Sequence, residues 1–227
     1  MADLRDLVWP AVAERPGDVL VVPLGSTEQH GPHLPISTDT DIAEALASRL
    51  AHDRSDVVVA PSVPYGASGE HAGFPGTLSI GHDALEVLLV ELVRSAAASF
   101  AHVLLLNAHG GNLPTLPQVV ARLRDEGHDV LLWSPSWRGD AHAGRTETSV
   151  QLALDPSRVG PLREAGATEG LTTLLPEMRR GGLRAVTGNG VLGDPTGATA
   201  DEGEQLLAEA TDDLLVTVER WLTPERA

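Results

Sequence analysis

The chain contains no cysteine and no lysine, and each absence narrows its chemistry. Without cysteine there can be no disulfide and no thiolate ligand, so any metal has to be bound by histidine, aspartate or glutamate. All 16 basic residues are arginine, which excludes catalysis through a lysine Schiff base. No apolar run reaches the roughly eighteen residues that a membrane span needs, so we expect a soluble protein without a membrane partner.

Acidic residues outnumber basic residues, 32 against 16, and leave a formal net charge of −16. A field of this sign repels phosphate backbones, so nucleic acid is not an expected partner. The first residues, 1–5, carry an acid and lack a long apolar stretch, which is not typical of a secretory signal. We therefore expect a cytoplasmic protein.

The order of hydrophobic patterns predicts an α/β fold. The 227 residues, 42% of them hydrophobic, are enough for a single domain that spans 1–227. Apolar β-rich runs alternate with helical patterns, which indicates a mostly parallel sheet flanked by helices. The predicted strands are Asp18–Leu24, Asp56–Ala60, His102–Leu106 and Asp129–Trp133, and the predicted helices are Asp39–Ala51, Asp83–Phe100, Leu113–Glu126 and Asp201–Trp221. In such sheets the loops that leave the carboxyl ends of the strands build the active site.

The loop after the first predicted strand is rich in metal-binding side chains. Glu28 and His30 project to the same side of an extended chain, and Asp39 follows shortly afterwards. Mixed oxygen and nitrogen donors of this kind suit zinc, manganese or iron(II) in an open catalytic site. The alternative is that Glu28 and His30 are polar loop residues beside the turn-forming Gly31 and Pro32.

Two further loops carry histidine after a predicted strand. His109 lies in the segment 107–112, where paired glycines allow a close approach of the backbone, and it could reach a metal bound by Glu28 and Asp39. The alternative is a tight strand-to-helix turn with an incidental histidine. In the segment 140–149, His142 and Glu147 precede a helical pattern. A carboxylate there is also explained by the helix dipole, and His142 by a surface loop.

Two segments are candidates for contact with substrate. The glycine-rich segment 65–77 is too irregular for a helix or strand, and Ser68, Glu70 and His71 are its substrate-binding candidates, with a mobile polar loop as the alternative. The segment 174–182 indicates a basic loop in which Arg179 and Arg180 could hold an acidic or carbonyl-rich peptide. Its alternative is a solvated turn with two surface arginines.

Three of these segments together resemble the creatininase family of amidohydrolases. The matching motifs are STEQHGPHLP at 26–35 followed by Thr38 and Asp39, NAHGGN at 107–112, and HAGRTETS at 142–149. The resemblance implies a three-layer α/β/α fold and two divalent metal ions per subunit. It implies that Glu28, Asp39 and His109 hold one metal, that His30 and Asp39 hold the other, and that His142 transfers a proton while Glu147 binds a metal or its water.

One position departs from the family pattern. Creatininase has a glutamate two residues after the histidine that corresponds to His109, whereas this chain has Gly111. The second metal would then lack a ligand, and three outcomes stay open: Glu147 supplies it, a substrate group supplies it, or the second site is weak or empty. The departure also argues against creatinine as the substrate.

Further motifs, at 65–71, 174–182 and 190–200, are similar to a subfamily of creatininase-like peptidases that acts in the biosynthesis of the redox cofactor mycofactocin. This similarity implies cleavage of a modified precursor peptide near its C-terminus, with release of a Val-Tyr-derived fragment. The resemblance to the creatininase family also implies a homo-oligomer, with a hexamer as the expected form. The alternatives are a creatinine or lactam hydrolase, a formamide deformylase, and a noncatalytic binding protein that a metal stabilises.

Overall fold

The computed structural model describes residues 2–137 and 139–223. Five strands form one sheet in the order β1-β3-β2-β4-β5, and every pair of neighbours is parallel. The strands are β1 (Ala2–Asp3), β2 (Val19–Leu24), β3 (Val57–Val59), β4 (His102–Asn107) and β5 (Asp129–Trp133), and the helices are α1 (Trp9–Ala13), α2 (Thr38–Asp53), α3 (Gly81–Ala96), α4 (Leu116–Asp125), α5 (Arg145–Leu154), α6 (Leu171–Gly181) and α7 (Ala200–Leu222). The predicted parallel α/β fold is therefore confirmed.

Alternate residues of the strands face two separate hydrophobic layers. On one side of the sheet, residues such as Val19, Val21 and Leu104 pack against α2, α5 and α7. On the other side, Leu20 and Leu105 pack against α3 and α4. Because helices cover both faces, the central strand β2 is hydrophobic throughout and buried at all six positions.

The prediction that the segment 174–182 forms a loop is wrong, since most of this segment belongs to α6. Leu174 and Met178 are four residues apart on one face of the helix, and Leu174 is buried against Leu183 and Leu192. Tertiary packing of this stripe stabilises a helix despite the proline at position 176. The helix ends at Gly181, and the next residue, Gly182, has a positive φ of 69° that favours glycine.

None of the helices within the described residues combines the length and the apolar character that crossing a membrane requires.

The topology determines where polar side chains can meet. All five strands are parallel, so the loops that follow β2, β3, β4 and β5 leave from the same edge of the sheet. Helices α2 and α5 begin at that edge, and α5 packs closely against α7 because Gly203 allows the backbones to touch: a Cβ at this position would overlap the carbonyl oxygen of Ser149. The first turns of α2 and α5 are thereby held beside the strand-end loops.

Candidate active site

Seven acidic and imidazole side chains converge at this edge of the sheet. Four loops supply them, one after each of β2, β3, β4 and β5, together with the first turns of α2 and α5. We call them the site cluster: Glu28, His30, Asp39, His71, His109, His142 and Glu147. Six are buried, and the side chain of Glu147 is 15% exposed, so the cluster opens to solvent at Glu147.

Asp39 joins the loops after β2 and β4. Its Oδ1 lies 3.2 Å from Nε2 of His30, and its Oδ2 lies 2.9 Å from Nδ1 of His109. The hydroxyl of Ser26 donates a 2.7 Å hydrogen bond to the same Oδ2. One buried carboxylate thus contacts imidazoles from two neighbouring strands.

Glu28 lies between His71 and His109. Its Oε1 is 3.2 Å from Nε2 of His71, and its Oε2 is 3.2 Å from Nε2 of His109. The Nε2 of His109 forms its hydrogen bond with the carbonyl of Ala67 at 3.1 Å instead, which leaves Oε2 of Glu28 buried without a hydrogen-bond donor. A buried carboxylate oxygen without a donor requires an explanation, and a bound cation is one.

Backbone contacts orient His142. Its main chain pairs with Leu192 as an antiparallel bridge, and the next residue, Ala143, has the one positive φ (51°) of a non-glycine residue among the described residues. Its Nε2 lies 2.9 Å from the backbone carbonyl oxygen of Gln29, so this nitrogen donates and Nδ1 carries the lone pair. Nδ1 is 3.8 Å from Oε1 of Glu28 and 3.9 Å from Oε2 of Glu147. The basic nitrogen of His142 therefore points into the cluster.

Glu147 is held by the same strained turn. The N–H of Ala143 donates to its Oε2 at 2.5 Å, and this oxygen lies 3.8 Å from Nε2 of His30. A residue in a left-handed conformation costs free energy and tends to occur where function requires it. Here the turn aims both His142 and Glu147 at the cluster.

Burial changes the protonation of the cluster. It raises the pKa of Glu28 to about 8 and that of Glu147 to about 7. It opposes the charged form of His30 and His109 as well, but the carboxylates of Asp39 and Glu28 outweigh it and raise the pKa of His30 to about 10 and that of His109 to about 9.

Two further groups shift in the opposite direction. Burial and the nearby His30 hold the pKa of His142 well below its usual range, so this imidazole is neutral near pH 7. For Asp39, burial favours the neutral form, but His30 and His109 outweigh it and lower its pKa well below the usual value. Asp39 is accordingly ionised while His142 is an uncharged base.

Three sets of side chains place their ligand atoms within 4.8 Å of one another: Glu28, Asp39 and His109; His30, Asp39 and Glu147; and Glu28, His30 and His142. The first two sets share Asp39, as one carboxylate between two cations would. Oxygen and nitrogen donors without thiolate are the chemistry that zinc, manganese and iron(II) accept in catalytic sites. The donor set and the unpaired oxygen of Glu28 therefore fit divalent metal.

Gln29 organises this network, and the sequence reasoning did not find it. Its Oε1 accepts from the N–H of Gly31 at 2.9 Å, so its amide nitrogen faces inward and donates to Nδ1 of His71 at 3.0 Å and to the carbonyl of Gly190 at 3.0 Å. An acceptor at Nδ1 places the hydrogen of His71 on Nε2, the atom that faces Glu28. The available signal was the position of Gln29 in the motif. In an extended chain its side chain projects to the face opposite Glu28 and His30, so it contacts other residues than these two.

The other predicted residues are distributed around the cluster. Ser68 is fully buried, with its hydroxyl 3.3 Å from Nε2 of His109. Glu70 and Arg179 line the cleft that leads to the cluster, whereas Arg180 does not. His71 also borders the cleft, but its contact with Glu28 makes it part of the buried network.

Two other polar residues in or just after the first motif, His33 and Asp41, lie outside the cluster. His33 is buried, with its Nε2 2.8 Å from the hydroxyl of Thr148, and burial lowers its pKa to about 4. Asp41 accepts from Gln151 at 2.9 Å and forms an ion pair with Arg158 at 2.8 Å. Both side chains connect elements of the fold.

Gly111 leaves no room for the side chain that creatininase has there. A Cβ would overlap the carbonyl of Ala67 and the ring of His109, and would lie 2.6 Å from Oε1 of Glu70. Of the three outcomes that the sequence left open, the contacts favour the first, because Glu147 joins His30 and Asp39 in one ligand set.

Comparison with known proteins identifies the family. The profile of the creatininase family, described as creatinine amidohydrolase, matches residues 5–218. The chain belongs to the creatininase family. It is 51% identical over 219 residues to the mycofactocin precursor peptide peptidase of Mycolicibacterium smegmatis, which covers 92% of this chain and 87% of that protein.

The fold of this creatininase-family chain is also that of solved creatininases. A mutant creatininase of the Zn–Zn type and a manganese creatininase each superpose with a TM-score of 0.81 at 23% identity, covering 98% of this chain and 98% and 99% of theirs. The three-layer α/β/α fold implied by the motifs is confirmed.

Chelator-treated protein should lose stability between pH 7 and pH 10. The pKa values of Glu28, Glu147, His30 and His109 are raised in the folded state, so in this range the folded state binds more protons than the unfolded chain. The free energy of unfolding then falls as pH rises, by on the order of 1 kcal/mol or more. Urea unfolding at pH 7 and pH 9.5 measures this change, and a rise in stability with pH would contradict it. Metal-loaded protein, whose ligands stay deprotonated, is the control.

Gln29→Ala should weaken metal binding without unfolding the protein. Loss of the amide frees His71 to adopt the other tautomer, which no longer donates to Glu28. Outer partners of metal ligands typically contribute about 10- to 100-fold to affinity. Competition with a chromophoric chelator measures the dissociation constant. Gln205→Ala, on the exposed face of α7, is the matched control, and an equal affinity in both variants would refute the role of Gln29.

Proposed function

We propose that this protein is a metal-dependent peptidase that cleaves the modified mycofactocin precursor peptide near its C-terminus and releases a Val-Tyr-derived fragment. The observation that carries the proposal is the 51% identity, across most of both chains, to a peptidase named for that substrate. The site cluster supports it, because two sets of carboxylate and imidazole ligands that share Asp39 could hold the two metal ions that amide hydrolysis can use.

We assign Glu28, Asp39 and His109 to one metal, and His30, Asp39 and Glu147 to the other. Divalent metals in these sets would polarise the scissile carbonyl and lower the pKa of water. Zinc, manganese and iron(II) are all compatible with the donors. The ions of the solved creatininases, zinc in one and manganese in another, support the first two.

His142 is the proposed proton carrier. It is neutral near pH 7, and its basic Nδ1 points into the cluster, so it can accept a proton from the attacking water as the water oxygen bonds to the carbonyl carbon. The same proton then passes from Nδ1 to the leaving nitrogen when the carbon–nitrogen bond breaks. Glu147, whose side chain is 15% exposed and whose Oε2 lies 3.9 Å from Nδ1, can orient that water or complete the ligand set of the second metal.

The test is to incubate metal-reconstituted protein with the modified precursor peptide and, separately, with creatinine, and to follow products by mass spectrometry. Release of a small C-terminal fragment that a chelator prevents is expected. Turnover of creatinine instead would assign the site to the cyclic amide chemistry after which the family is named. Turnover of neither substrate would refute the proposed substrate and direct the search to other cyclic or formylated amides.

Two variants separate metal binding from proton transfer. Asp39→Ala should lose both metals and all activity, because both proposed ligand sets contain Asp39. His142→Ala should keep both metals and lose about 10²- to 10⁴-fold in kcat. Metal content by mass spectrometry and peptide hydrolysis are measured together. Two tightly held metals in Asp39→Ala would refute the shared carboxylate, and full activity in His142→Ala would refute the proton carrier.

We also propose that the protein is a homo-oligomer, with a hexamer as the expected form. Light scattering coupled to size exclusion measures its mass directly.

A further inference from the structure

The cleft that leads to the site cluster has one polar part and one apolar part. Its volume is about 400 Å³. The polar part is lined by Glu28, Asp39, Glu70, His109, His142 and Glu147. The apolar part is lined by Leu171, Leu175, Met178, Leu183 and Leu192. A peptide substrate can therefore bury an apolar side chain beside the reactive centre.

Helical periodicity places Arg179 on the same side as this apolar lining. Leu171, Leu175 and Met178 are spaced four and three residues apart along α6, so they share one face. Arg179 follows Leu175 by four residues and lines the cleft with them. Arg180 is rotated by roughly 100° around the helix and does not line it.

Arg179 has no protein partner among the described residues. Neighbouring Arg184, in contrast, donates to the carbonyl of Gly73 at 2.8 Å and lies 4.5 Å from the ring of Phe74. Of the described residues that line the cleft, Arg179 is the only arginine, and a guanidinium stays charged at every physiological pH.

We infer that Arg179 binds a carboxylate of the peptide substrate, next to an apolar side chain that occupies the leucine- and methionine-lined part of the cleft. This inference rests on the proposed peptidase function. The guanidinium fork matches a carboxylate with two parallel hydrogen bonds.

The carboxylate has two possible sources, the C-terminus of the peptide or an acidic side chain. Steady-state hydrolysis is measured with the modified precursor peptide as the free acid, as the C-terminal amide, and with its acidic side chains replaced by amides. Wild type, Arg179→Gln and Arg180→Gln are compared, all metal-loaded. Arg180→Gln is the matched variant, since it removes the same charge from the adjacent position.

Arg179→Gln should raise KM for the free acid by about 10- to 100-fold with kcat changed only a few-fold, because it removes a charge-assisted contact to the substrate. The peptide that lacks the bound carboxylate should show the same increase with wild type and little further increase with Arg179→Gln. Which modified peptide does so identifies the source. Arg180→Gln should keep the wild-type KM.

Three results would overturn the inference. These are an unchanged KM in Arg179→Gln, equal effects of the two arginine variants, and a constant ratio of KM values between the variants across all three peptides. If the wild type cleaves none of the peptides, the proposed function fails and this assignment fails with it. If the wild type cleaves them and Arg179→Gln does so equally well, only the assignment of Arg179 fails. Thermal unfolding of the variants checks that each is folded.

Discussion

The site depends on one buried carboxylate, Asp39, held between two imidazoles. Burying an ionised carboxylate is costly unless it is paired and hydrogen-bonded. Asp39 meets both conditions through His30, His109 and the hydroxyl of Ser26. These contacts link the loops after β2 and β4 with the start of α2. Asp39 therefore fixes the positions of these segments, which carry the other residues of the cluster, relative to one another.

Around Asp39 the protein surrounds each functional side chain with fixed polar partners. Asn107 accepts from the N–H of His109 and donates to its carbonyl at 2.9 Å, while Asn112 connects Asn107 to the N–H of Ala67. The side-chain amide of Gln29 likewise orients His71 by donating a hydrogen bond to its Nδ1. Hydrogen bonds of this kind make a buried polar site rigid, and Oε2 of Glu28 is the one oxygen of the cluster's described carboxylates that is buried without a donor. The cluster can therefore concentrate three carboxylates and four imidazoles without the repulsion that would separate them in a flexible loop.

Much of the architecture could be predicted from local patterns. Continuous apolar runs indicate buried parallel strands, and Asp129–Trp133 agrees with β5 to the residue. The predicted helices differ from α2, α3, α4 and α7 by at most four residues at an end, where helix boundaries are least determined. The segment 174–182 was predicted to be a basic loop on the strength of its two arginines, because the packing of Leu174 against Leu183 and Leu192, which stabilises α6, is not visible in the sequence.

By itself the sequence determined the fold class, the chemistry of the donors and the loops that carry them, because these follow from hydrophobic period, residue type and position after a strand. Only the tertiary structure decided which donors meet. It placed Glu147 beside His30, and it placed His71 in contact with Glu28 as well as at the border of the cleft. It also kept His33 and Asp41 out of the cluster. It also separated Arg179 from Arg180. These outcomes depend on distances between segments that are far apart in the chain, which local spacing does not encode.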